Sequence, residues 1–313
     1  MPLLMWLFLI PFAAAAVVFV LPLSRRALKI LTVALSLIPL GILLYGQSWH
    51  GVQVSYAWLP ALSVNFHLAV DSLSLLFLYL TAVITPISLL SMRSINVPFP
   101  NAFYGLVLFL EGLLIGFFTA RDLVVFTIFW ESMLLPLYFI ITMWGGQQRE
   151  NAAFKFLIYM IAGSTLMIAA ILSLYFDSGQ STFNMNALAN IASSAPHAIW
   201  LCGIFMLAFA VKTPLFPFHA WLPDSYCQAP VAGTILLSAL LSKAGIYGIL
   251  RIGLGLFPEI IKAWSPWLLA LAIIGVLYGA LTAWMQTDFK RLIAYSSFSH
   301  VNFVLAGLFV WNN

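Results

Sequence analysis

Charge is what this sequence has least of. Only 7% of its 313 residues are Asp, Glu, Lys or Arg, while 63% are hydrophobic, and the mean hydropathy is +1.05. No water-soluble globular domain tolerates that balance. The 13 basic and 9 acidic residues are spread along the chain rather than gathered into a patch or tail, so nucleic-acid binding has no support. Cysteine is equally scarce. Cys202 and Cys227 lie too far apart for a C-x-x-C pair, have no third cysteine to complete an iron–sulfur or zinc site, and read as small packing residues. The histidines His50, His67, His197, His219 and His300 show no H-x-x-x-H or H-E-x-x-H spacing, and neither a G-x-G-x-x-G run nor a Walker loop is present. A nucleotide, a metal and a redox centre are therefore not expected in this chain. No basic residue precedes the apolar stretch through Ala13 to Ala16, whereas Arg25, Arg26 and Lys29 follow it. That polarity reads as a retained first helix rather than a cleaved signal.

What is present is a succession of long hydrophobic runs. A membrane span needs about 20 mainly apolar residues, and ten candidates fit between polar or Pro/Gly breaks: 2–22, 29–46, 70–92, 102–119, 122–143, 153–176, 198–218, 229–250, 266–286 and 290–310. The expected fold class is all-α, a polytopic transmembrane protein of about ten helices. With the N-terminus outside, the inner ends carry Arg25, Arg26, Lys29, Arg93, Arg149, Lys155, Lys290 and Arg291, and the outer ends only Arg121, Arg251 and Lys262. The positive-inside rule then puts both termini on the non-cytoplasmic side. The link from 177 to 197 holds an amphipathic stretch, NMNALANIA, suited to lying along the outer surface. Prolines inside hydrophobic segments suggest a transporter plan built from repeats.

Two basic residues remain, Lys212 and Lys243, both inside predicted helices. A charge at mid-bilayer costs at least about 2.5 to 3.5 kcal/mol on insertion scales, so such groups face a protein interior or a wet cavity. Glu131 sits mid-helix in FWESMLLPLYF, where Pro136 leaves the carbonyl of Ser132 without its helical donor. Lys212 precedes Pro214 and Pro217, which release the carbonyls of Ala210 and Thr213 and interrupt the helix. Lys243 shares a polar stripe with Ser238, Ser242 and Tyr247. Desolvation drives a buried lysine toward its neutral form and a nearby carboxylate drives it back, so the three together read as a proton relay. The bland readings are a structural ion pair for Glu131 and a snorkelling side chain for Lys212. His219, after the break, either lines a wet path or is an ordinary hydrogen-bonded histidine. His300 shares a face with Ser296 and Ser297 and joins the relay candidates. Asp71 is expected to cap its helix. Arg121 with Asp122, Glu150 with Arg149, and Asp288 with Lys290 and Arg291 are expected as solvated interfacial charges. Glu111 lies inside its predicted helix, to assist Glu131 or pair with another subunit.

The segments FWESMLLPLYFIITMWGG, NAAFKFLIYMIAGSTLM, AFAVKTPLFPFHAWLPDSYCQAPVAGTILLSALLSKAGIYGILR and TDFKRLIAYSSFSHVNFV closely resemble the antiporter-like subunits of proton-pumping NADH:quinone oxidoreductase, respiratory complex I, of the bacterial subunit M and mitochondrial chain 4 type. The resemblance spans essentially the whole chain. It implies that Glu131, Lys212 and Lys243 form the inner part of a proton path, and that NADH, FMN, iron–sulfur clusters and quinone belong to partner subunits. It further implies other membrane subunits of complex I as partners and a bacterial inner membrane as location. It implies helices 1–3 over 1–101, a first five-helix repeat over 102–252, and over 253–313 a second, inverted repeat that stops after two helices at Trp311-Asn312-Asn313. Fourteen helices and a charged residue on the twelfth are the family pattern, so a truncated or split gene product, or a chain that works differently from its relatives, is expected. The competing readings are a subunit of a multisubunit cation/proton antiporter and a non-pumping membrane scaffold.

Overall fold

A computed structural model describes residues 2–46, 49–92 and 98–310; Arg93, counted above among the inner cations, and Trp311-Asn312-Asn313 lie outside them. The chain divides into two compact units, Met1–Gly145 with Ala229–Leu236, and Gly146–Gln228 with Leu237–Asn313.

The first unit opens with α1 (Leu3–Val20), α2 (Arg25–Ser36) and α3 (Ile38–Tyr45). The single span expected over 29–46 is present as Arg25–Tyr45, with a local interruption at Leu37 between α2 and α3 because Pro39 has no N–H for the carbonyl of Leu35. Next comes an element absent from the sequence-based expectation, an antiparallel hairpin of β1 (Gln53–Leu59) and β2 (Val64–Ala69) pairing Ser55 with His67. Then follow α4 (Ser72–Ser91), α5 (Pro100–Thr119), α6 (Leu123–Ser132) and α7 (Leu134–Trp144).

The hairpin reaches the α5–α6 turn. Arg121 N donates to the carbonyl of His67 at 2.9 Å, and Leu68 bridges Ala120. This cover removes the turn from water and changes the expected pairing. Arg121 is buried, pairs with Asp71 at 3.2 Å and donates to Ser74 Oγ at 3.0 Å. Asp122 instead caps α6, accepting from Val124 N at 2.9 Å and from Asn65 N of β2 at 3.1 Å. Asp71 caps α4 as expected, accepting from Ser74 N at 2.9 Å.

The second unit holds α8 (Arg149–Asp177), the short α9 (Met185–Ser194) on the expected amphipathic stretch, α10 (Ala198–Lys212) and α11 (Trp221–Gln228). One further helix runs from Val231 to Leu256. Its first turn and a half, α12 (Val231–Leu236), belongs to the first unit. In the second unit come α13 (Ser242–Gly248) and α14 (Leu254–Leu256), then the antiparallel pair α15 (Pro258–Trp284) and α16 (Phe289–Phe309). Among the described residues nine helices are long and apolar enough to span a membrane, and a tenth, Ala198–Lys212, is cut short. This is an all-α multi-pass membrane fold.

Removing a capping carboxylate that also holds the hairpin lowers stability by about 1–2 kcal/mol. Asp122→Ala is therefore expected to lower the thermal unfolding midpoint of the detergent-purified protein, and an unchanged midpoint contradicts the role of the cap.

Candidate functional site

In the first unit Glu131 is the second-last residue of α6, one residue before Ser132 and two before the turn at Met133. The helix loosens where Pro136 withholds its donor, as the sequence suggested. Glu131 is half-buried, and its Oε1 is fully enclosed without a hydrogen-bond partner among the described residues.

In the second unit α10 ends at Lys212 and regular helix resumes only at Trp221. Lys212 is 1% exposed, too enclosed for the snorkelling alternative, in which the ammonium would reach water. The break is closed by protein groups rather than left open. Leu215 N reaches back to the carbonyl of Ala210 at 2.8 Å, so that carbonyl is not free as the proline pattern implied. Trp221 Nε1 donates to Val211 O at 2.9 Å, and Asn302 Nδ2 of α16 donates to Pro214 O at 3.1 Å. Backbone that leaves the helical ladder inside a membrane survives only when such partners replace it.

Lys243 lies on α13 between two π turns, Leu237–Leu241 and Ile249–Gly253. A π turn bonds residue i to i+5 and displaces the carbonyls around it, a feature common at functional sites. Here Lys243 Nζ donates to Ser238 O at 2.7 Å, and Ser242 Oγ donates to the same oxygen at 2.8 Å. The segment also approaches the break very closely. A Cβ on Gly245 would lie 2.0 Å from Thr213 Oγ1 and 2.8 Å from Thr213 N. Only glycine admits that contact, and it joins the residue after Lys212 to the helix turn that carries Lys243. Both lysines thus stand on elements in backbone contact.

The remaining candidates are placed differently. His219 is enclosed by rings, with Phe298, Tyr278 and Phe216 at centroid distances of 4.4, 5.0 and 5.6 Å. His300 is exposed on α16, while Ser296 and Ser297 are half-buried. Tyr247 is buried and accepts from Arg251 Nε at 3.1 Å. Arg291 reaches past the expected Asp288, whose carboxylate caps α16 through Arg291 N at 2.8 Å, and its guanidinium pairs with Asp224 at 3.2 Å. Asp224 also binds Lys155 at 2.7 Å, tying α11 to α8 and α16. Asp224 and Asn302 were not legible from charge or spacing alone. Tyr226, whose buried hydroxyl lies among those of Ser242 and Ser297, was missed because tyrosine is unremarkable in an aromatic-rich membrane sequence.

Residues 120–313 match the family model described as NADH:quinone oxidoreductase/Mrp antiporter, TM. NADH-ubiquinone oxidoreductase chain 4 of Marchantia polymorpha is 35% identical over 98% of this chain and 63% of its own length. In the solved structure of respiratory complex I from Thermus thermophilus with bound NADH, one chain superposes with a TM-score of 0.88 at 33% identity, over 98% of this chain and 64% of that one. A chain of the Mrp complex from Dietzia sp. DQ12-45-1b gives 0.87 at 26% identity, over 99% of this chain and 34% of that one. The chain spans less than two thirds of the length of each of these proteins.

Gly245→Val forces the break away from α13, and overpacking of this kind costs about 1–3 kcal/mol. The variant is expected to unfold at lower temperature in detergent; an equally stable variant contradicts the close contact.

Proposed function

The chain belongs to the NADH:quinone oxidoreductase/Mrp antiporter family of membrane proteins, and from that premise we propose that it is a membrane subunit of a proton-pumping NADH:quinone oxidoreductase. In this reading it moves protons while partner subunits carry NADH, FMN, iron–sulfur clusters and quinone. The observation that supports it most is the pair of lysines, one fully buried at a helix break and the other on the helix that Gly245 brings against that break.

A buried ammonium is expensive and a neutral amine is not, so each lysine is poised to release its proton when its surroundings change. The proton leaves Lys212 and passes by way of water to Lys243, which is then held at Ser238 O. Glu131 belongs to the path on the strength of its motif, FWESMLLP. His219 and His300 are entered as flanking relay groups, and residues 102–252 as the first five-helix repeat. The cation excess at the proposed inner ends supports placing both termini of this sequence on the non-cytoplasmic side of a bacterial inner membrane.

A second reading, a subunit of a multisubunit cation/proton antiporter, is supported by the likeness to the Mrp complex chain. The higher identity over nearly the whole chain to chain 4 and to the complex I subunit favours the first. Neighbouring genes for quinone-reductase subunits support the first reading, and genes for small antiporter subunits the second.

Lys243→Ala in the assembled enzyme is expected to reduce NADH-driven proton uptake by inverted membrane vesicles to background while NADH oxidation by an artificial electron acceptor persists. Unchanged uptake removes the relay.

A further inference from the structure

Glu111, on α5, is an enclosed acid that, unlike the capping carboxylate of Asp122, meets no hydrogen-bond donor among the described residues. It is 1% exposed, and neither carboxyl oxygen has a hydrogen-bond partner there. Its surroundings follow from helix register within the first unit. Phe118 stacks on Phe77 of α4 at 4.8 Å, and Arg121 meets Ser74 at 3.0 Å, so α4 and α5 run antiparallel in a fixed register. Glu111 lies two helical turns before Phe118, on the same face. Two turns beyond Phe77 on α4 is Ile84, flanked by Thr81, Thr85 and Ser88. α2 packs on both of these helices. Lys29 donates to Met92 O, and Tyr79 reaches Leu43 O at 3.1 Å, which sets α2 antiparallel to α4, with Thr32 near the level of Ser88 and Ser36 near that of Thr85. Those five hydroxyl residues are all 0% exposed.

Five buried hydroxyls on the two helices packed against α5, at levels close to that of Glu111, make a polar seam there, and their hydrogen bonds define its character. Thr81 Oγ1 donates to Phe77 O at 2.8 Å, Thr85 to Thr81 O at 2.9 Å and Ser88 to Thr85 O at 2.7 Å. Thr32 donates to Leu28 O and Ser36 to Val33 O, both at 2.8 Å. With each hydrogen committed to its own helix, only oxygen lone pairs remain to face a neighbour. An array of acceptors suits a carboxylic acid, which has one O–H to give, and not a carboxylate, which has none. When a hydroxyl turns away from its helix it becomes a donor, and the same array then receives the anion.

We propose that Glu111 is a proton-carrying group of the first unit, loaded through this hydroxyl seam from the end where Lys29 meets Met92, and that it serves the proton path alongside Glu131. The proposal rests on the proton-pumping reading above. In each transfer one O–H bond breaks as another forms and the carboxylate becomes the acid, so no electron changes hands. Lys29 is a charged group at the mouth of the seam, and Arg121 with Asp71 closes the opposite end of α4.

The test compares the wild-type enzyme with Glu111→Gln by infrared difference spectroscopy during hydrogen–deuterium exchange, and by NADH-driven proton uptake in vesicles. Loss of a deuterium-sensitive protonated carboxyl band together with a several-fold fall in uptake is expected. An unchanged spectrum overturns the proposal, as does a lost band with normal uptake, which marks a structural acid. Should the glutamine variant fail to assemble, Glu111→Asp serves instead: a displaced band with slowed uptake supports the proposal, and wild-type behaviour on both overturns it. Lys243→Ala run in parallel separates the two claims. Normal uptake there with slowed uptake in Glu111→Gln sinks the lysine relay alone, and the converse sinks Glu111 alone.

Discussion

Inside a bilayer no water is at hand to satisfy a polar group, so each peptide carbonyl, amide and charge must find its partner within the protein. Most of this chain meets that demand with uninterrupted helices. The informative places are those where it does not, because proline or a charged side chain forces another arrangement. The break after Lys212 is the clearest case, with Leu215, Trp221 and Asn302 each answering a carbonyl that the helix no longer serves.

The same demand explains the small residues. Asn302 reaches the break only because Gly275 on α15 has no Cβ, which would lie 2.4 Å from Asn302 Oδ1. The contact of Gly245 with Thr213 is equally intolerant of a side chain. Two glycines on different helices thus hold one irregular segment in place. The ion pairs of Asp224 with Lys155 and Arg291 fix the far side of the break to α8 and α16. Packing of this kind holds the irregular segment next to Lys212 in one arrangement.

Much of the architecture was legible because membrane helices write themselves in long apolar runs, and the two lysines stood out because charge is rare. The turn near Glu131, the interruption after Lys212 and the cap at Asp71 followed from proline and capping chemistry acting locally. The hairpin of β1 and β2 was passed over because strands of seven and six residues are too short to register beside twenty-residue runs. Once it covers the α5–α6 turn, Arg121 must pair with Asp71 and Asp122 is left for α6, which no local pattern foretells. Asp224 lies 69 residues from Lys155 and 67 from Arg291, and Asn302 lies 88 from Pro214. Such distant pairings are a property of the folded arrangement, beyond the reach of spacing rules.

The two π turns on either side of α13 set the direction of its side chains. Each accommodates one residue more than the α repeat, so the residues between them fall out of phase with the helix on either side. Gly245 meets Thr213 from that offset segment, and the carbonyl that the Lys243 amine holds, that of Ser238, lies within the first π turn. An unbroken α-helix of the same length would present Gly245 and Lys243 in another direction.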